Sequence, residues 1–296
     1  MSAGYEALPV TSEPTPGFWT YSPHPFAIKF PDGWAIEGIR WYGLAYVAGF
    51  AVAARLLHYY YKRGRSKLDS DMQSTLTMGI VLGTVVGGRL GYVLGYMIPK
   101  NPHLILEHPM VIFQINKGGM ASHGGMIGIA LATWWCARRF KMPFRNLADI
   151  IVTLGPPGVI FGRFANFING ELWGKVTEVK WAVVFRYPES DPAVWLQPRH
   201  PSQLYAMVLE GVLLTVWTQL RFWKKEPLPA GQLSGEFMIG YAIVRILGEF
   251  WREPDEGVGL VLGMSRGQFY SLFLALAGVI CIVWSRRSAK SAAVAL

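Results

Sequence analysis

Apolar residues run along this chain in seven blocks of 16 to 23 residues, separated by stretches dense in charge, Pro or Gly. A helix crosses hydrocarbon with roughly 20 apolar residues. The blocks therefore predict about seven transmembrane helices, near Ile39 to Leu57, Leu76 to Ile98, Met120 to Ala137, Leu147 to Phe164, Leu204 to Leu220, Gly235 to Phe250 and Phe269 to Trp284. The fold class expected is an all-α polytopic membrane protein.

The polar connections supply an orientation. Lys62, Arg63, Arg65 and Lys67 follow the first block; Arg138, Arg139, Lys141 and Arg145 follow the third; Arg221, Lys224 and Lys225 follow the fifth; Arg286, Arg287 and Lys290 follow the seventh. Basic clusters on alternate connections mark the cytoplasmic side. The N-terminus is thus expected outside and the C-terminus in the cytoplasm. The longest connection, 166–203, then lies outside. Its β-prone stretch Trp181 to Phe185 and breakers Pro188, Pro192, Pro198 and Pro201 predict a small periplasmic-side cap. Residues 1–36, rich in Pro, Ser, Thr and aromatics, read as a polar or interfacial lead-in without a signal peptide. Residues 37–296 form one transmembrane domain with the cap inserted. No repeat is visible, which weighs against an inverted-repeat transporter.

Composition agrees with this class and narrows the chemistry. Hydrophobic residues make up 52% of the chain and charged residues 16%. The net charge of +9 would suggest nucleic acid in a soluble domain. Here the four cytoplasmic clusters account for 14 of the 28 Lys and Arg, so no nucleic-acid partner is expected. The two cysteines, Cys136 and Cys281, lie far apart in apolar surroundings, which excludes a disulfide framework or a Cys-type metal cluster. No H-E-x-x-H, Walker A or paired metal-ligand spacing occurs, and neither metal nor cofactor is expected. Gly263-Met-Ser265-Arg-Gly267 fits G-x-S-x-G but follows no strand, so it is not a nucleophile elbow.

A charge at mid-helix costs roughly 2.5–3.5 kcal/mol on insertion scales, so those that remain need a partner or a function. Arg89 sits among Gly83, Gly87, Gly88, Gly91 and Gly95, a small-residue ladder that admits a second helix. It is either a satisfied packing residue or an anionic-lipid contact. Arg245, Glu249 and Arg252, spaced four and three apart, are expected on one helical face, where the second Arg leaves positive charge for an anion. Arg163 adds a cation at the outer end of the fourth block. His123, flanked by Gly118, Gly119, Gly124 and Gly125, can accept a proton near neutral pH, although a lone interfacial His is commonly a surface group. His200-Pro-Ser-Gln-Leu-Tyr205 offers a second His and a Gln. The densest polar run is GRFANFINGELWG, Gly162 to Gly174, at the end of an apolar block where stability gives no reason for it.

These segments carry a resemblance. GRFANFINGELWG, RWYGLAY (Arg40 to Tyr46), SHGG (Ser122 to Gly125), HPSQLY and RILGEFWREPD (Arg245 to Asp255) resemble the bacterial phosphatidylglycerol:prolipoprotein diacylglyceryl transferases, in order and over most of the chain from Arg40 to Trp284. Two departures stand out: Ala165 where the family usually has Gly, and Ala206 where an acidic residue is common. The resemblance implies transfer of a diacylglyceryl group from phosphatidylglycerol to the thiol of the lipobox Cys of a preprolipoprotein, forming a thioether and releasing glycerol phosphate. It implies a multi-pass protein of the bacterial inner membrane, with its site toward the periplasm, among membrane lipids and signal peptides. The reaction needs cations for an anionic donor and its leaving group, and a base or positive field for a thiol.

On that basis Arg163 and Arg245 are assigned to the phosphate and His123 to the proton. Asn166, Asn169 and Glu171 orient the headgroup or the loop, and Gly170 and Gly174 permit its turns. Glu249 fixes Arg245, Tyr42 and Tyr241 bond glycerol or phosphate, and Arg89 is a candidate lipid contact. The alternative is a transporter or flippase of an anionic lipid.

Overall fold

The computed structural model describes residues 17–31, 33–34, 37–100, 103, 107–114, 119–186, 197–254 and 261–294. It is mostly helical. Each apolar block coincides with a helix, extended into its polar flanks: α1 (Trp41–Lys62), α2 (Ser70–Tyr92, continued through a π-helical turn Val93–Met97 to Lys100), α3 (Ser122–Arg139) and α4 (Phe144–Ile168). Helix α5 runs from Ser202–Ala206 through a π-helical segment Met207–Leu213 into Leu214–Phe222, followed by α6 (Gln232–Glu249) and α7 (Arg266–Val294). Three of these stretches, Ser70–Met97, Phe144–Ile168 and Arg266–Ser291, are long and apolar enough to cross a membrane.

The expectation of an all-α chain is corrected by four short strands. β1 (Trp19–Tyr21) pairs in parallel with β4 (Val183–Phe185), and β2 (Phe26–Lys29) pairs antiparallel with β3 (Gly38–Arg40). Three of them involve residues expected only as a lead-in or a helix start. Strands of three or four residues are too short to show a period, and β1 finds its partner more than 160 positions away, where local pattern cannot reach. The cap's breakers Pro188 and Pro192 lie outside the described residues, as do Gly118, Asp255 and most of the lead-in.

The chain divides into two compact units: Met1–Gly49 with Gly155–Pro227 and Gly235–Trp284, and Phe50–Leu154 with Leu228–Ser234 and Ser285–Leu296. In the first unit a small core of Phe167, Val183 and Phe185 is covered by Tyr21, Trp173 and Leu204. Tyr21 stacks on Phe167 with centroids 5.3 Å apart, and its hydroxyl donates to the Ile168 carbonyl at 2.9 Å. That bond satisfies one of the carbonyls left open where α4 ends. The cap is thereby tied to the end of α4, which carries the polar signature. Pro156 and Pro157 inside α4 remove two backbone donors, a recognised cause of helix bending. Gly158 there lies against Gly49 of α1.

In the second unit the glycine ladder does what its spacing predicts. A Cβ on Gly83 would lie 2.5 Å from the Gly128 carbonyl oxygen, and one on Gly91 would lie 2.7 Å from Gly124 Cα. Gly87 meets Gly124 and Gly128 in the same way. Helices α2 and α3 thus cross backbone to backbone, the geometry that small residues at four-residue spacing allow. Arg89, on the same helix, is 6% exposed and donates to the carbonyls of Val111 (2.6 Å), Ile112 (2.8 Å) and Gly119 (3.0 Å). Asp149 of α4 accepts from the backbone N–H groups of Gly231 and Ser234 at 2.6 and 2.7 Å, capping α6 from a neighbouring helix.

The seam can be tested directly. Gly128→Val is expected to destabilise the protein by at least about 2 kcal/mol, the cost of overpacking a closed contact. Gly95→Ala, where an added Cβ meets nothing within 4 Å, serves as the control. Melting temperatures of the two purified variants that do not differ would show that the helices do not cross at these glycines.

Candidate active site

The first unit gathers an alternating row of buried and half-buried charges from three helices. Arg163 of α4 donates through Nε (3.1 Å) and Nη2 (2.6 Å) to Glu210 Oε2. Arg245 of α6 approaches Glu210 Oε1 at 3.4 Å and pairs on its other side with Glu249, one turn along the same helix. Glu210 is only 1% exposed. A carboxylate so covered is tolerable because it is shared by two guanidinium groups, one of them gripping it through two N–H donors. Tyr241 lies within electrostatic range of Glu210, Arg163 and Arg245. At the start of α7, Gly267 backs onto the row: a Cβ there would lie 2.7 Å from Glu249 Oε1 and 3.0 Å from Arg245 Nη2. The second glycine of the false G-x-S-x-G motif therefore serves close packing.

Glu210 was not among the residues singled out from sequence. It belongs to the π-helical segment of α5, where an extra residue per turn shifts the helix phase. The signal was present, since a carboxylate inside an apolar block is as costly as Arg89 and demands the same explanation. Arg252 needs a correction. Helix α6 ends at Glu249, so Arg252 does not share its helical face. It stands in extended chain, bridged to Gly174. It nonetheless lines the same cleft as Arg163, Glu210 and Arg245. Among the described residues, these three guanidinium groups outnumber the carboxylates of the row, Glu210 and Glu249, by one. Ala206 also lines this cleft. The departure noted in sequence thus falls within the cleft and leaves a methyl where a carboxylate would have offset that excess.

A second network holds the signature loop after α4. The Tyr42 hydroxyl donates to Glu171 Oε2 at 2.8 Å and accepts from Asn166 Nδ2, while Asn169 Nδ2 reaches Glu171 Oε1 at 3.2 Å. Gly170 takes φ 67°, the left-handed turn expected of it. Leu172 takes φ 57°, which costs a non-glycine residue about 1 kcal/mol. It is held there by the HPSQLY segment: Ser202 Oγ donates to the Leu172 carbonyl at 2.8 Å, and Gln203 Nε2 to that of Glu171 at 2.6 Å. Gly174 makes no left-handed turn, contrary to expectation. It is wedged between chains, and a Cβ on it would lie 2.5 Å from the Trp251 carbonyl oxygen and 2.6 Å from His200 Cβ. His200 accepts or donates at Tyr205 Oη, 3.1 Å away. Burial, then the Lys175 charge, push its pKa below the usual imidazole value.

Ten of the twelve sequence candidates thus fall in the first unit, in these two linked networks. Arg89 and His123 belong to the second. Arg89 has the satisfied packing geometry described above. His123 is exposed in the first turn of α3, immediately before Gly124 of the glycine seam.

Removal of Glu210 tests the row. Glu210→Ala leaves Arg163 with no carboxylate and Arg245 with Glu249 alone, a loss expected to cost about 3–5 kcal/mol. A melting temperature equal to the unaltered protein's would show that the row is not a buried ion network.

Residues 31–284 match the family model for prolipoprotein diacylglyceryl transferase. The chain is similar to the phosphatidylglycerol--prolipoprotein diacylglyceryl transferase of Idiomarina loihiensis, 39% identical over 255 residues, 86% of this chain and 91% of the relative. The enzyme of that name from Photorhabdus laumondii is 40% identical over 263 residues, 83% and 88% of the two chains. That of Nitrosospira multiformis is 42% identical over 258 residues, 84% and 83%. With the family model spanning most of its length and relatives this similar end to end, the chain belongs to the prolipoprotein diacylglyceryl transferase family.

Proposed function

We propose that this protein transfers the diacylglyceryl group of phosphatidylglycerol to the lipobox cysteine thiol of preprolipoproteins, the first step of bacterial lipoprotein maturation. The observation that carries the reading is the Arg163–Glu210–Arg245–Glu249 row, closed on the buried Glu210, with Arg252 lining the same cleft, in a chain of this family. An anionic phosphodiester is the ligand such a row can hold without a metal.

In the reaction a C–S bond forms as the C–O bond to phosphate breaks. The electron pair leaves on the phosphate oxygen, as glycerol phosphate, and the thiol proton passes to a base. Arg163 and Arg245 hold the phosphate and stabilise charge growing on the leaving oxygen. Glu210 and Glu249 fix their guanidinium planes, so the donors need little reorganisation. Tyr241 and Tyr42 bond the headgroup, and Asn166, Asn169 and Glu171 hold the loop, with Gly170 and Gly174 allowing its path. His123 takes the proton. Arg89 supports the backbone at Val111, Ile112 and Gly119; three backbone carbonyls on its guanidinium favour this over a lipid contact.

The chain lies in the inner membrane with all seven helices crossing, its N-terminus outside and its C-terminus in the cytoplasm. The alternating basic clusters support this orientation. The cap then faces the periplasm, inserted in the transmembrane domain 37–296. The pairing of β1 with β4 favours counting the described end of the lead-in with the cap.

Purified protein given glycerol-labelled phosphatidylglycerol and a lipobox peptide is expected to label the Cys peptide, leave a Cys→Ser peptide unlabelled, and release glycerol phosphate. Arg163→Ala and Arg245→Ala are expected to lose at least 100-fold in turnover, on the order seen when one charge-stabilising donor is removed. Intact turnover in either would remove that residue from the site. His123→Gln is expected to lose most of the rate, and a near-normal rate would remove its role as base.

A further inference from the structure

The cleft beside the charge row contains one group that the reaction as described does not use. Gln203 is 2% exposed and lines the cleft together with Arg163, Arg245 and Arg252. Its amide orientation is fixed, because Nε2 donates to the Glu171 carbonyl at 2.6 Å. The other end, Oε1, is buried and has no hydrogen-bond partner among the described residues. A covered amide oxygen left without a donor is unfavourable, and native structures rarely keep one without a use. The cleft is narrow, with room for about one water or one hydroxyl.

The chemistry of the missing partner follows from this setting. Oε1 can only accept. A phosphodiester anion and a thiolate can only accept too, so neither can satisfy it. The donors that arrive with the anion held by the guanidinium groups are those of the headgroup esterified to it, in the donor lipid its glycerol hydroxyls. Resting on the transferase reading, we infer that Gln203 Oε1 accepts a hydrogen bond from a hydroxyl of the donor lipid's glycerol headgroup. Gln203 is thereby the residue that separates a polyol headgroup from other anionic phosphodiesters. The charge row recognises the phosphate; Gln203 recognises what is esterified to it. A site built to bond a hydroxyl rejects the analogue lacking it because its own buried group is then left unpaired.

The test compares phosphatidylglycerol with phosphatidylpropanol of the same acyl chains, which keeps the phosphodiester charge and the three-carbon headgroup but lacks both hydroxyls. The purified protein, with a lipobox peptide as acceptor, is expected to show a kcat/KM ratio of roughly 10- to 100-fold in favour of phosphatidylglycerol, the range for one buried hydrogen bond. In Gln203→Met the ratio is expected to fall to near one. Loss of the Nε2 bond to Glu171 lowers turnover of both lipids alike and leaves their ratio untouched, so a purely structural role predicts an unchanged ratio. That result would overturn the inference, as would unaltered protein using the two lipids within twofold of each other. Should Gln203→Met not fold, the ratio in the unaltered protein decides alone. No transfer from either lipid by folded, unaltered protein would overturn the transferase reading itself, and this inference with it.

Discussion

Glu210 is the point on which the site turns. Two neighbouring guanidinium groups repel each other and are costly to bury, and a single carboxylate between them converts that conflict into a fixed arrangement. Everything nearby serves this bridge. The helix carrying Glu210 is underwound into a π-helical segment, α6 adds Glu249 as a second clamp on Arg245, and Gly267 lets the start of α7 come close to that pair. Among the described residues of the row, the carboxylates number one fewer than the cations.

Around this row the loop after α4 is held by bonds that arrive from far away in the chain. Tyr42 comes from the first turn of α1, and Ser202 and Gln203 come from the first turn of α5; all three end on Glu171 or Leu172. The left-handed Leu172 shows that this is restraint and not relaxation, since the residue would leave that conformation without the bonds around it. Rigid placement of polar groups is what a charge-stabilising site needs, because donors already in place do not have to reorganise as charge moves.

Helix positions could be read from the sequence because apolar length and basic flanks are local properties. The helices observed coincide with the blocks from Ile39 to Trp284. Of the strands, β4 falls within the β-prone stretch Trp181 to Phe185, while β1, β2 and β3 could not be read, since such short segments acquire meaning only when paired. The candidate site was readable where polar residues stand conspicuously in apolar surroundings, as with Arg163, Arg245 and the loop to Gly174. Reading failed where a helical wheel was extended past its helix, as at Arg252, and where a lone Glu in an apolar block was passed over, as at Glu210. Gly174 was identified but for a different cause: its neighbours, not its dihedral angle, require glycine. In each miss the deciding fact is which distant segment packs alongside.

The π-helical segment Met207–Leu213 carries a consequence for the length of α5. Each residue of an α-helix advances the side chains by about 100°. The π-helical segment turns by less per residue, so its seven residues cover about the rotation of six α-helical ones and the rest of α5 keeps its phase relative to Ser202 and Gln203. Winding the same seven residues as ordinary α-helix would rotate everything beyond by roughly 100°, and the face that presents Glu210 between two arginines and the face that meets the signature loop could not then both be satisfied. The number of residues between Gln203 and Glu210 is therefore as much a part of this site as their chemical identity, a spacer whose unit is one amino acid.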